Sequence, residues 1–179
     1  MWKELQNGWM PPQSLTREEY ISIKNNKDVK PHLTGFVGFG CSFAGKWFGG
    51  YVEYRSKKYD YCLSAYNSVS RKLKNLKDVV FYNSDYKDVN IPEGSLVYCD
   101  IPYRNTTQYC KEEVGVFNHN EFYQWVKDNS DKYDIYISEY KENVPNDFKI
   151  VWELESKQSL RNSKNEKAKT TEVIIKYKK

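Results

Sequence analysis

Apolar positions along the chain recur at two spacings, and these divide the sequence into helical and extended segments. Between residues 60 and 76, Leu63, Tyr66, Val69, Leu73 and Leu76 return every three or four positions, with Arg71, Lys72, Lys74 and Lys77 among them. That pattern predicts an amphipathic helix with a basic outer face. A second helix is predicted from about Asn118 to Asn129, with Phe122, Trp125 and Val126 turned inward and Asn118 with Glu121 as its cap. A shorter one opens at residues 15–19, where Thr16 and Glu19 have capping-box spacing and Tyr20 and Ile23 form the apolar face. Pro11 and Pro12 stop any helix begun at Met1.

Three short apolar runs, at 79–82, 95–99 and 134–138, read as strands, and the last two flank the 118–129 helix. Alternating strands and helices predict an α/β fold with a mainly parallel sheet covered on both faces. Residues 148–154 and 172–177 read as two more strands, joined by a polar, lysine-rich stretch. This predicts an antiparallel hairpin closing the sheet, with a mobile basic loop at its tip. Residues 35–51 hold six of the nine glycines together with Phe36, Phe39, Phe43, Trp47, Phe48 and Tyr51, a mixture that suits an ordered loop or irregular helix with close backbone approaches. No internal repeat is visible, and 179 residues predict one globular domain.

A formal charge of +4 and a pI near 8.7 permit a polyanionic partner without demanding one. Cys41, Cys62, Cys99 and Cys110 form no CxxC pair and are accompanied by two histidines, which argues against a zinc site and a disulfide framework. No apolar run reaches the ~18 residues of a membrane-spanning helix, and the first residues lack a basic and apolar leader, so a cytoplasmic chain with reduced thiols is expected.

The most informative segment is 96–103, Leu-Val-Tyr-Cys-Asp-Ile-Pro-Tyr, an apolar strand ending in an acid, a proline and an aromatic. Ligands of α/β sheets bind beyond the carboxyl ends of the strands, which is where Asp100 and Tyr103 fall. A planar base with an exocyclic amine suits this set: Asp100 accepts one amine hydrogen, the Ile101 carbonyl the other, and Tyr103 stacks on the ring. Pro102 biases Ile101 to an extended conformation and so orients that carbonyl. The alternative is a plain Asp-X-Pro turn whose aspartate bonds the following amides.

Asp100-Ile-Pro-Tyr103 resembles the DPPY motif of the DNA adenine-N6 methyltransferases. Its neighbourhood is similar too: residues 81–86 (Phe-Tyr-Asn-Ser-Asp-Tyr) followed by 95–103 resemble consecutive strands of the Dam-like, phage-type group, and residues 35–51, 117–125, 137–140 and the Lys/Thr-rich end resemble that group in the same order. The resemblance implies a partial Rossmann-like methyltransferase sheet and methyl transfer from S-adenosylmethionine to an adenine flipped out of DNA. By position, Asp100, Ile101, Pro102 and Tyr103 would hold the base, and Ser84, Asp85 and Tyr86 would lie near the cofactor's adenine. Ile101 stands where the family usually has proline.

The family also carries, ahead of the region that matches Met1, a strand and FxGxG turn and a second strand ending in an acid. Neither is found here, so the expectation is a methyltransferase-like domain shortened at its amino terminus, with a second polypeptide as a candidate source of the missing strands. Gly38-Phe-Gly40 does not supply the turn, because no strand-turn-helix unit with a following acidic strand surrounds it. Lys46, Trp47 and Tyr51 are expected on a DNA-facing surface, with a packed aromatic cluster as the alternative. Lys157, Arg161, Lys164, Lys167 and Lys169 are expected to contact DNA phosphates, with a solvated charged loop as the alternative. Glu139 and Tyr140 end a strand beside the site. Two functions follow from the resemblance: an active adenine methyltransferase, or an inactive or split remnant that binds DNA or a partner subunit. No nucleophile elbow, metal cluster or P-loop supports a hydrolase.

Overall fold

The computed structural model describes residues 1–52, 60–104, 116–161 and 167–178. Two compact units divide the chain, Met1–Asn83 and Ser84–Lys179, each with a hydrophobic core of its own.

The first unit is helical, with α1 (Trp2–Gln6), α2 (Arg17–Asn25), α3 (Pro31–Gly40) and α4 (Tyr61–Leu73). The expected capping box starts α2: the Glu19 amide donates to Thr16 Oγ1 at 3.2 Å, and the Thr16 amide donates to the Glu19 carboxylate at 2.7 Å. Asp60 caps α4 by accepting the Leu63 amide at 3.0 Å.

The glycine-aromatic segment, expected as an ordered loop or irregular helix, begins as the regular helix α3 and continues into a turn. Glycines cost α3 about 1 kcal/mol each in propensity, but they admit neighbours: a Cβ on Gly38 would lie 2.3 Å from Cζ3 of Trp47, and one on Gly40 2.9 Å from Cβ of Ala65. After α3 the chain turns back through a 3-10 turn at Phe43–Gly45, and the Phe48 amide donates to the Gly38 carbonyl at 2.8 Å. Leu5, Tyr20, Phe36, Val37, Cys41, Phe48, Cys62 and Val69 make up this core.

Residues 79–82, expected as a strand, pair with no strand among the described residues. The Gln6 side chain donates to the Leu76 and Val79 carbonyls at 2.6 and 2.7 Å, and Phe81 stacks on Trp2. Val80 and Tyr82 stay exposed, so this run meets side chains of α1 instead of a ladder.

The second unit is α/β. Its four strands, β1 (Leu96–Asp100), β2 (Asp134–Tyr140), β3 (Phe148–Arg161) and β4 (Lys167–Tyr177), lie in the order β1-β2-β4-β3. Helix α5 (His119–Asn129) lies between β1 and β2 in sequence, and these two strands run parallel as a β-α-β unit requires. The sheet is mixed, not mainly parallel: β4 enters between β2 and β3 and is antiparallel to both, which leaves β1–β2 as the one parallel pair among the described strands.

The expected hairpin is present but longer, with β3 and β4 pairing to Arg161 and Lys167 through the lysine-rich stretch. Backbone pairing does not require apolar side chains, so the ladder continues past the apolar runs. The α5 residues Phe122, Tyr123 and Val126 pack on Ile135, Ile137, Val173 and Ile175, and full burial of a phenylalanine or valine of this kind contributes about 1.5–3 kcal/mol.

Candidate functional site

Asp100 ends β1 opposite Ser138 of β2, and the pairing decides what the carboxylate meets. Ser138 Oγ donates to Asp100 Oδ1 at 3.0 Å, which fixes the carboxylate and leaves its second oxygen uncommitted on an exposed residue. Ile101 turns inward as part of the core, at 8% exposure, so the step after the acid is anchored by burial. His119, at the start of α5, donates from Nε2 to the Pro102 carbonyl at 2.7 Å. Tyr103 meets Tyr140 edge to face with ring centres 4.7 Å apart, and burial raises its phenol above the ordinary range.

The next residue is clamped from both sides. The Arg104 amide donates to Glu139 Oε2 at 3.3 Å, and Asn143 Nδ2 donates to the Arg104 carbonyl at 3.2 Å and to Glu139 Oε1 at 3.1 Å. Glu139 Oε1 also accepts the Tyr140 amide at 2.8 Å. Glu139 is fully buried, and a buried carboxylate is tolerable because its oxygens accept this set of donors. The segment 100–104 is thus held by Ser138, His119, Glu139 and Asn143, a preorganised strand end that leaves one Asp100 carboxylate oxygen uncommitted.

Ser84 and Asp85 are exposed, and Asp85 Oδ1 accepts the Lys87 amide at 3.0 Å, capping a 3-10 turn at Tyr86–Asp88. Tyr86 packs edge-on against Phe122 and Trp125 and beside Phe117. Burial raises its phenol, and the neighbouring Glu121 carboxylate adds to the effect. The turn is braced further by the Lys87–Glu121 pair at 2.7 Å. Of these three expected cofactor residues, Ser84 and Asp85 present free polar atoms, whereas the Tyr86 ring is engaged in packing.

Of the expected DNA contacts, Lys46, Trp47 and Tyr51 belong to the first unit. Trp47 packs on Phe39 and Phe48, and Tyr51 donates its hydroxyl to the Leu15 carbonyl at 2.9 Å. Lys46 is exposed. Lys157 and Arg161 lie on β3 and Lys167 and Lys169 on β4. Lys164 and Cys110 lie outside the described residues.

Ser138, His119, Asn143 and Arg104 form no motif in the sequence. The one signal was the polar pair Ser138-Glu139 at the end of an otherwise apolar strand. No group of three or more metal-ligating side chains occurs among the described residues. No family model matches the chain, and no curated protein and no solved structure matches it.

Proposed function

We propose that the chain carries the target-base site of a DNA adenine-N6 methyltransferase, and that the β1-α5-β2 unit is the carboxy-terminal part of a Rossmann-like sheet. The observation that carries this reading is the fixed strand end: Asp100 with one oxygen tied to Ser138 and the other uncommitted, followed by buried Ile101 and by Tyr103. An adenine amine donates one hydrogen to the Asp100 carboxylate, while Tyr103 offers an aromatic surface to the ring. Drawing on that hydrogen keeps the nitrogen lone pair available, and the preset geometry lowers the cost of aligning it.

Ser84 and Asp85 fit the polar part of the cofactor, since a hydroxyl and an uncommitted carboxylate oxygen match an amine and ribose hydroxyls. S-adenosylmethionine held there would supply an electrophilic methyl group, and Asp100 would hold the amine hydrogen that leaves as a proton to solvent water.

The packed Tyr86 favours a second reading, a site that holds DNA without transferring methyl groups. Calorimetric titration with S-adenosylmethionine, together with transfer of labelled methyl to adenine-containing duplex, separates the two. Enzymatic function predicts cofactor binding weakened by Asp85→Ala and methyl transfer reduced at least ~100-fold by Asp100→Ala. DNA binding with no cofactor affinity supports the second reading.

A further inference from the structure

Arg104 follows Tyr103 directly, and its guanidinium is underused. It donates from Nη2 to Asn120 Oδ1 at 3.1 Å and lies over the Tyr123 ring at 5.5 Å. Its Nε is buried without a hydrogen-bond partner, and no described carboxylate forms an ion pair with its guanidinium. The backbone of the same residue is fixed through its amide by Glu139 and through its carbonyl by Asn143. A rigid anchor thus carries a cation whose fork of donors is mostly unspent. Beside it opens a cavity of about 590 Å³ whose lining includes Asn120, Tyr123, Lys127 and Asn143.

We infer that Arg104 is a phosphodiester subsite: it takes a backbone phosphate of the strand that presents its base to Asp100 and Tyr103. This rests on the proposed DNA-base reading of that site. A planar guanidinium matches two phosphate oxygens at once, which a lysine does not. An unpartnered buried donor is costly, and turning the fork onto an oxyanion removes that cost. Tyr123 also leaves a buried hydroxyl without a partner, and its phenol, pushed up to about 12, keeps its proton at neutral pH and remains a donor.

Acidic groups share the lining. Glu142 and Asp147 face the cavity, Asp147 is paired with Lys127, and Glu139 lies behind the Arg104 amide. The two cations and two carboxylates of the lining balance, so the cavity has no net pull on a free anion and the subsite depends on a phosphate delivered by bound DNA.

The test is fluorescence anisotropy of a labelled adenine-containing duplex between ~50 and ~200 mM salt, with wild type, R104Q and R104K. Phosphate contact predicts that R104Q binds about ten-fold more weakly at the low-salt end and that its log–log salt slope is shallower by about one. R104K restores the slope but not the full affinity, because the charge returns without the fork. Circular dichroism confirms that both variants fold. Wild-type binding with R104Q unchanged in affinity and slope overturns the subsite and leaves the base-site reading standing. No DNA binding by wild type overturns both.

Discussion

Glu139 and Tyr123 face the same Arg104, and their substitutions are expected to act in opposite directions. Glu139 is fully buried and accepts from the amides of Arg104 and Tyr140 and from Asn143. In Glu139→Gln one acceptor oxygen becomes an NH2 facing N–H donors, so denaturant unfolding should show a loss of about 2–3 kcal/mol. Tyr123 is 5% exposed with an unpartnered hydroxyl, and Tyr123→Phe removes a desolvated group that gains nothing; stability should be unchanged or rise by up to ~1 kcal/mol. The pH dependence follows from the same ring. Burial first, and then the Glu139 charge, raise its phenol from 10.0 to about 12, with Arg104 opposing. The folded state holds that proton after the unfolded chain has released it, so wild-type stability falls as pH rises from 10 toward 12. Denaturation midpoints at pH 8 and 11 should show this fall, and the phenylalanine variant should lose the part due to Tyr123. At this scale Asp100 and Tyr103 were legible, because an acid, a proline and an aromatic after an apolar strand is a local pattern. The residues that hold them were not, since Pro102–His119, Asp100–Ser138 and Arg104–Asn143 join positions 17, 38 and 39 apart in sequence.

Elements with a full apolar period were readable, and those defined by what they exclude were not. Helices α2 and α5 carry their expected caps, and α4 falls within its expected span, because apolar periodicity and capping side chains are local signals. Helix α3 was one of two readings left open, an ordered loop or an irregular helix, because glycines that form turns and glycines that make space look alike in sequence. Gly38→Ala puts these two effects in competition. Helix propensity favours alanine by about 1 kcal/mol, but the added methyl would lie 2.3 and 2.5 Å from Trp47 ring carbons already packed between Phe39 and Phe48. Overlap with a ring that has little room to retreat outweighs propensity, and a net loss of about 1–3 kcal/mol is expected. A changed near-UV circular dichroism signal should accompany the lower denaturation midpoint; an unchanged signal with raised stability would show that the ring moves freely. The 79–82 run failed for a related reason: four apolar residues carry no period of their own, and the Val79 carbonyl found Gln6.

At the scale of the molecule the strand order was beyond the sequence, because a strand reads the same whether its neighbour runs with it or against it. Only the β-α-β spacing fixed one pair as parallel, and the order places β1 and β3 at the two ends of the sheet. These ends differ in kind. Strand β3 carries Lys149, Glu153 and Glu155, charges that discourage pairing with another chain, whereas β1 reads Leu96-Val-Tyr-Cys99 before its first charge. Leu96 and Tyr98 are 69% and 56% exposed, and Trp152 and Leu154, on the same face by register, are 49% and 51% exposed. Aromatic and aliphatic groups left in water along an uncharged edge favour association. Sedimentation velocity at rising concentration should therefore show self-association at moderate salt, where repulsion between the basic chains is screened. Leu96→Lys should suppress it by charging the edge, and Leu154→Lys should suppress it less if edge pairing dominates over contact through the face. Both positions are exposed, so neither variant should change unfolding by more than about 0.5 kcal/mol. A monomer at every concentration would mean that the edge is already protected by its twist or by Asp100, and equal suppression by both variants would assign the contact to the face.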